Sequence, residues 1–196
     1  MKNLFKLLTV FAVLLNVAFA QEKWAVDPAH TNTRFSVSHL GIAFIDGEFR
    51  SLEGAMDTKA ANTFEGAIVN FSVAVNSIDT RVEARDTHLK SDDFFNAEQF
   101  PTMTLKNAIM KKGKNGKYTL TGDFTIRDVT KKVVFDVVQN NGVITDPWGM
   151  TRAGFTAKTT INRFDYNIKY NDLLPTGVPA VAPNIDIVVN VEVVKQ

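Results

Sequence analysis

Three histidines, His30, His39 and His88, and one compact charged set, Arg85, Asp86, His88 and Asp93, are the residues of this chain best suited to chemistry. Three imidazoles could hold a zinc ion. No two of them stand at the i, i+4 helical spacing of a metalloprotease motif, however, and no His-x-His occurs along a strand. His39 shares a period-2 face with Phe35 and Val37, so it reads as a histidine of a core or pocket. The Arg-Asp-x-His set allows two readings. It could orient a ligand headgroup, since apolar pockets use few polar groups for that purpose. It could instead hold a helical segment to its surroundings through charge-assisted hydrogen bonds. The second is favoured, because adjacent Arg85 and Asp86 cannot share one helix face. Nucleophile machinery is missing: the chain has no cysteine, Gly-x-Ser-x-Gly elbow, phosphate loop or dinucleotide fingerprint. No catalytic residue, metal ligand or cofactor is therefore assigned, and the chain reads as something other than an enzyme.

The elements that must position these residues are mostly strands. Ile185, Ile187, Val189, Val191 and Val193 alternate with more polar neighbours, as do Val69, Phe71, Val73 and Val75. Tyr118, Leu120, Phe124 and Ile126 share another face, with Gly122 among them marking a bend or a close backbone approach. Met103, Leu105 and Ile109 form a further set, as do Phe155, Ala157 and Ile161. Turn signals stand at Asp27-Pro28, Asp46-Gly47, Lys112 to Gly116, Asn140-Asn141-Gly142 and Asp146-Pro147. About eight antiparallel strands in one all-β domain describe an up-and-down barrel or a sandwich. Thr80-Arg81-Val82-Glu83 matches a capping box and predicts a short helix over about 81–89, within an insert spanning about 80–98. Phe94 and Phe95 follow it, one to pack into the barrel end and the other to touch ligand or seal the mouth. The proline-containing stretch from Asn171 to Pro183 reads as an irregular loop, either a lid or a plain connection. Trp24 and Trp148, beside Asp-Pro turns, read as barrel-end plugs, and Arg127 and Arg163 as partners of carboxylates such as Asp123 or Asp165.

The first twenty residues read as a leader rather than as fold. Lys2 and Lys6 precede an apolar run over residues 7–15, and Ala18-Phe19-Ala20 supplies a cleavage signal. That divides the chain into 1–20, a signal peptide, and 21–196, a single domain that is periplasmic or secreted. Without Lys2 and Lys6 the 22 basic residues no longer outnumber the 21 acidic ones. So balanced a charge leaves no footprint for nucleic acid.

Several strings together resemble the YceI-like, polyisoprenoid-binding family. They are Trp24 to Thr31, Phe35 to Gly41, Gly47-Glu48-Phe49, Ser77 to Thr80 and Arg85-Asp86-Thr87-His88-Leu89. Asp93-Phe94-Phe95, Phe100-Pro101, Gly122 to Lys131 and Asn162-Arg163 complete the set, in order along the mature chain. Asp165-Tyr166-Asn167 departs from the family's Asp-Phe-Gly, and the loop from Asn171 is longer than its usual forms. The resemblance implies an eight-stranded antiparallel, lipocalin-like barrel with a short helical insert. It also implies an interior that holds a polyisoprenoid, an isoprenoid quinone or another fatty-chain lipid. The strands are expected to put Phe35, Val37, His39, Phe49, Val69, Phe71, Val73, Met103, Leu105, Phe124, Ile126 and Phe155 on that pocket's wall, and the insert to add Leu89, Phe94 and Phe95. The expected partners are a hydrophobic lipid and a transient membrane contact, with the chain a monomer or homodimer. Two other readings stay open: a lipid-active or metal-dependent enzyme built on His39, His88 and Asp86, and a ligand-free structural protein.

Overall fold

Period-2 alternation becomes a single antiparallel sheet in the computed structural model, which describes residues 21–61 and 63–196. The expected leader, residues 1–20, lies outside the described residues. The strands are β1 (Glu22–Val26), β2 (Asn32–His39), β3 (Ala43–Phe49), β4 (Leu52–Thr58), β5 (Ile68–Ala74), β6 (Ile78–Asp79) and β7 (Thr102–Lys112). They continue with β8 (Lys117–Ile126), β9 (Val129–Thr145), β10 (Thr151–Asn162) and β11 (Val181–Lys195); helix α1 (Glu83–Lys90) lies between β6 and β7. Eight strands close a ring in the order β1-β4-β5-β7-β8-β9-β10-β11 and back to β1. This is the expected eight-stranded antiparallel barrel.

Strand β11, 15 residues long, serves two neighbours. Val193 and Val194 pair with β1 and close the ring, whereas Val181 and the run Ile185–Asn190 pair with β2. Strands β2, β3 and β6 therefore continue the sheet past the seam as a flap. The turn of the β2–β3 hairpin falls at Leu40 and Gly41, both with positive φ, not at Asp46-Gly47 as expected. Gly47 is needed mid-strand for another reason: a Cβ there would lie 2.3 Å from the Phe35 ring.

Two more local signals were overruled by tertiary pairing. Asn141 and Gly142 both have positive φ, yet they sit inside β9 at a register shift against β10, so they form a bulge rather than a turn. In β7 a second register shift lies between Lys106 and Ile109, where Asn107 has φ 50°. One extra residue reverses the alternation. Ala108 and Met110 are buried as a result, and Ile109, expected inside with Met103 and Leu105, is exposed. At Gly122 the close approach expected from sequence is present, since a Cβ there would stand 2.5 Å from that of Ala108.

One end of the barrel is sealed by side chains. Phe64, from the β4–β5 connection, packs edge-on against Phe155 at 4.9 Å and tilted against Trp24 at 5.5 Å. Trp24 and Phe64 are each 2% exposed, and Ala67 and Ala108 are wholly buried beside them. Trp148, by contrast, is 82% exposed at the Asp146–Gly149 turn and plugs nothing. Its turn is held by backbone bonds to the Asp146 carboxylate, so packing never needs the indole.

Candidate functional site

Inside the ring is an apolar cavity of about 200 Å³. Strands β5, β7, β8, β10 and β11 contribute Phe71, Leu105, Phe124, Phe155 and Val189, one inward residue after another. Phe35 and Val37 enter from β2, Phe49 ends β3, and Leu89, Phe94 and Phe95 reach in from α1 and the turns after it. Val69, Val73, Met103 and Ile126 complete the set expected from sequence. His39 is the exception. It has the inward parity of Phe35 and Val37 but occupies the hairpin tip opposite Ala43, past the wall.

Thr33, Arg34 and Arg163 are the polar residues of the wall. The Thr33 hydroxyl donates to the Phe49 carbonyl at 2.8 Å. Arg163, expected to meet Asp165, instead donates to four carbonyls: Ala182 at 3.0 Å, Val181 at 2.9 Å, Ile168 at 3.1 Å and Tyr170 at 2.5 Å. It is 2% exposed, and burial depresses its pKa. Its guanidinium thus replaces the water that these loop carbonyls would otherwise need. Asp165 pairs with Lys131 and Asp123 with Lys132, both near the surface. The turn after Arg163 ends on Asn167 at φ 59°, where the resemblance would place glycine; Asn tolerates that conformation.

The insert is held differently from the way its sequence suggested. The Thr80 side chain does not cap α1, whose first flanking residue is Val82 with no side-chain cap bond. Arg81 has φ 66°, so the chain turns away before the helix begins. Asp86 Oδ1 accepts from Thr80 N and Oγ1 at 2.9 and 2.5 Å, and Arg85 donates to Thr80 Oγ1 and O, both at 2.7 Å. Arg85 and Asp86 converge on Thr80 from adjacent positions, because the shared partner lies before the helix start. His88 and Asp93 form a separate pair at 2.8 Å. The expected single cluster is therefore two. His88 also stands edge-on to Phe94 and Tyr170, which stack at 4.8 Å. Arg127 secures the turns after α1 by donating to the carbonyls of Asp92 and Phe94 and to the Asp92 carboxylate at 2.8 Å.

The adjacent phenylalanines do not divide their work as expected, since both line the cavity. Phe94 is buried, and Phe95 is half-buried with its ring edge-on to Phe49 at 5.7 Å. Half-buried Phe35, Leu89, Val181 and Ile185 stand with it, which sets the mouth between α1, the β2–β3 flap and the start of β11.

The family model of the YceI-like domain matches residues 24–193. The chain belongs to the YceI-like family. A UPF0312 protein of Shewanella denitrificans is 34% identical over 197 residues, covering 100% of this chain and 99% of the relative. The crystal structure of the Campylobacter jejuni YceI protein, 29% identical, matches 78% of this chain and 88% of its own at a TM-score of 0.60. A polyisoprenoid binding domain from Saccharophagus degradans, 10% identical, matches 88% of this chain and 98% of its own at 0.63, a likeness of fold.

The third histidine of this YceI-like chain faces outward. His30 Nδ1 lies 2.9 Å from Asp27 Oδ2, and Glu192 completes a group whose ligand atoms lie within 4.8 Å of one another. Arg152 already supplies a cation there, at 2.7 Å from Asp27, 2.6 Å from Glu192 and 2.5 Å from Asp146. The hydrogen bond from His30, then that from Arg152, pulls the Asp27 carboxyl down to about 2. Glu192 alternates with the wall residues Val191 and Val193, so this network sits on the outer face of the barrel.

Proposed function

We propose that this YceI-like chain is an exported carrier that holds the hydrocarbon part of a lipid inside the barrel. The ligand class is a polyisoprenoid, an isoprenoid quinone or another single-chain lipid, and no covalent step is required. The observation that carries the reading is the wall: its rings and branched chains present carbon, and the polar groups of Thr33 and Arg163 are already bonded to carbonyls. Each buried CH₂ contributes about 0.8 kcal/mol to uptake. A cavity of about 200 Å³ is smaller than the roughly 300–1,000 Å³ usual for ligand pockets. A long tail therefore has to push aside the half-buried rings of Phe35, Phe71, Phe95 and Phe124. Lys2 and Lys6, the apolar run over residues 7–15 and Ala18-Phe19-Ala20 support export, with cleavage after Ala20. The enzyme reading lacks a shared site: His39 is at the hairpin tip, Asp86 on Thr80 and His88 on Asp93.

The test is native mass spectrometry of the purified protein beside Gly47→Ala. The added methyl would sit 2.3 Å from the Phe35 ring and 2.8 Å from Thr80 Cγ2, so the ring, which lines the cavity, has to shift. Wild type is expected to carry a lipid-mass adduct, and the variant to stay folded with severalfold less of it. A wild type that carries no lipid and takes up no farnesol would overturn the proposal.

A further inference from the structure

Beside the mouth, two segments that are far apart in sequence are joined. Leu40 N donates to Ala180 O at 3.0 Å, and His39 pairs with Val181. A side chain at Gly41 would meet Val178 at 3.3 Å, so hairpin tip and loop are in close contact. The loop is braced in turn by the Leu173–Pro179 bridge and by Ala180 N donating to Asp172 O at 2.8 Å. The stretch after Asn171, expected to be a lid or a plain connection, thus folds against the flap beside the mouth.

The side chains that this junction presents to solvent are apolar. Ile42 is 84% exposed, Phe44 72%, Leu173 57% and Val178 37%. Residues 40–45 and 173–185 include no charged side chain. Isolated exposed apolar residues are ordinary, but a contiguous group marks a contact surface. Continuity with the cavity indicates what it contacts, because Val37 and Val181 of the wall adjoin the tip. A specific dimer needs roughly 800 Å² from each partner, more than four side chains on two narrow turns supply. An apolar tip without charge is suited to shallow burial at the boundary between lipid headgroups and chains.

We infer that the β2–β3 tip and the Leu173–Val178 loop insert into a lipid surface, placing the mouth against the membrane from which the ligand is taken. The inference rests on the carrier reading. Attraction comes from apolar burial rather than charge, so binding to vesicles is expected to be nearly independent of salt and of anionic lipid.

The test is flotation with phosphatidylcholine vesicles, with and without phosphatidylglycerol, alongside uptake of farnesol as a soluble prenyl probe. Wild type is expected to float with both vesicle types. The double variant Ile42→Ser/Phe44→Ser is expected to lose vesicle affinity by roughly a hundredfold, while keeping its circular dichroism spectrum and farnesol uptake. Trp148→Ser, at the sealed end, is expected to float like wild type. Farnesol uptake without tip-dependent flotation overturns this inference and leaves the carrier reading standing. So does flotation lost in Trp148→Ser instead, or a wild-type dimer that the double variant dissociates. Loss of farnesol uptake in the wild type overturns the carrier reading and this inference with it.

Discussion

At the sealed end, Phe64 and Trp24 drop into the ring as buried apolar side chains, whereas at the mouth the turns after α1 and the loop after β10 bury Phe94, Tyr166 and Ile168 and are in addition tied by guanidinium bonds to backbone carbonyls. Both ends close the same eight-stranded ring. The apolar plug is held by burial, which is non-directional and is lost only by opening a void. The polar attachment depends on the geometry of Arg127 and Arg163, so it can loosen locally while the strands stay paired. The mouth thus adds to its packing a set of directional bonds that the Phe64 plug does not use.

The largest test of that contrast is Phe64→Ala, which should destabilise the fold by about 3–5 kcal/mol in chemical denaturation. If the variant is as stable as wild type, packing does not seal that end. Next is Arg163→Met, which leaves the carbonyls of Ile168, Tyr170, Val181 and Ala182 without their donor. A cost of about 2–3 kcal/mol is expected, with faster amide exchange over residues 163–182 and unchanged exchange in β4 and β5. Uniform acceleration across all strands would erase the distinction between the ends.

The smallest effect concerns the outer network near the sealed end. Asp27 falls from 3.8 to about 2 on folding, so its contribution is present above pH 3.8 and is lost as pH drops towards 2. His30 is raised above 6.5 by its bond to Asp27, so its contribution is full below 6.5 and fades as pH rises through the higher folded value. Asp27→Asn should therefore cost most between pH 3.8 and 6.5 and progressively less as pH falls through about 2, as melting temperatures of both proteins across pH will test. A difference that persists at the acid extreme would mean that the residue acts through packing instead.

Much of this was legible in the chain, because alternation survives wherever a strand has one dry face. Met103, Leu105 and Phe124 reached the wall by that logic alone. Where reading failed, a distant partner had overruled local preference. Gly47 is required by a ring on the neighbouring strand, not by a turn. The bulge at Asn107 reversed the faces of β7, which an apolar count along one strand cannot reveal. Thr80 matched a capping box but is bound by Arg85 and Asp86, a choice fixed by the positive φ at Arg81. Arg163 looked like half of an ion pair, and its carbonyl partners become visible only once the loop is folded around it. Phe64 was missed because a lone aromatic in a connection gives no periodic signal.

The ring's seam also has a temporal meaning. Strand β1 finds its β11 partner across the whole domain, as in the ion pair of Lys195 with Glu22, 173 residues away. All the other ring pairings join strands much closer in sequence. The pairings from β4 through β11 are local, whereas closure at β1–β11 and the flap pairing β2–β11 both span most of the domain and carry the larger loop-closure entropy. Until β1 joins β11 both strands carry unpaired edges towards each other, and after closure the free edge that is left belongs to the flap, along Ala43–Gly47 of β3.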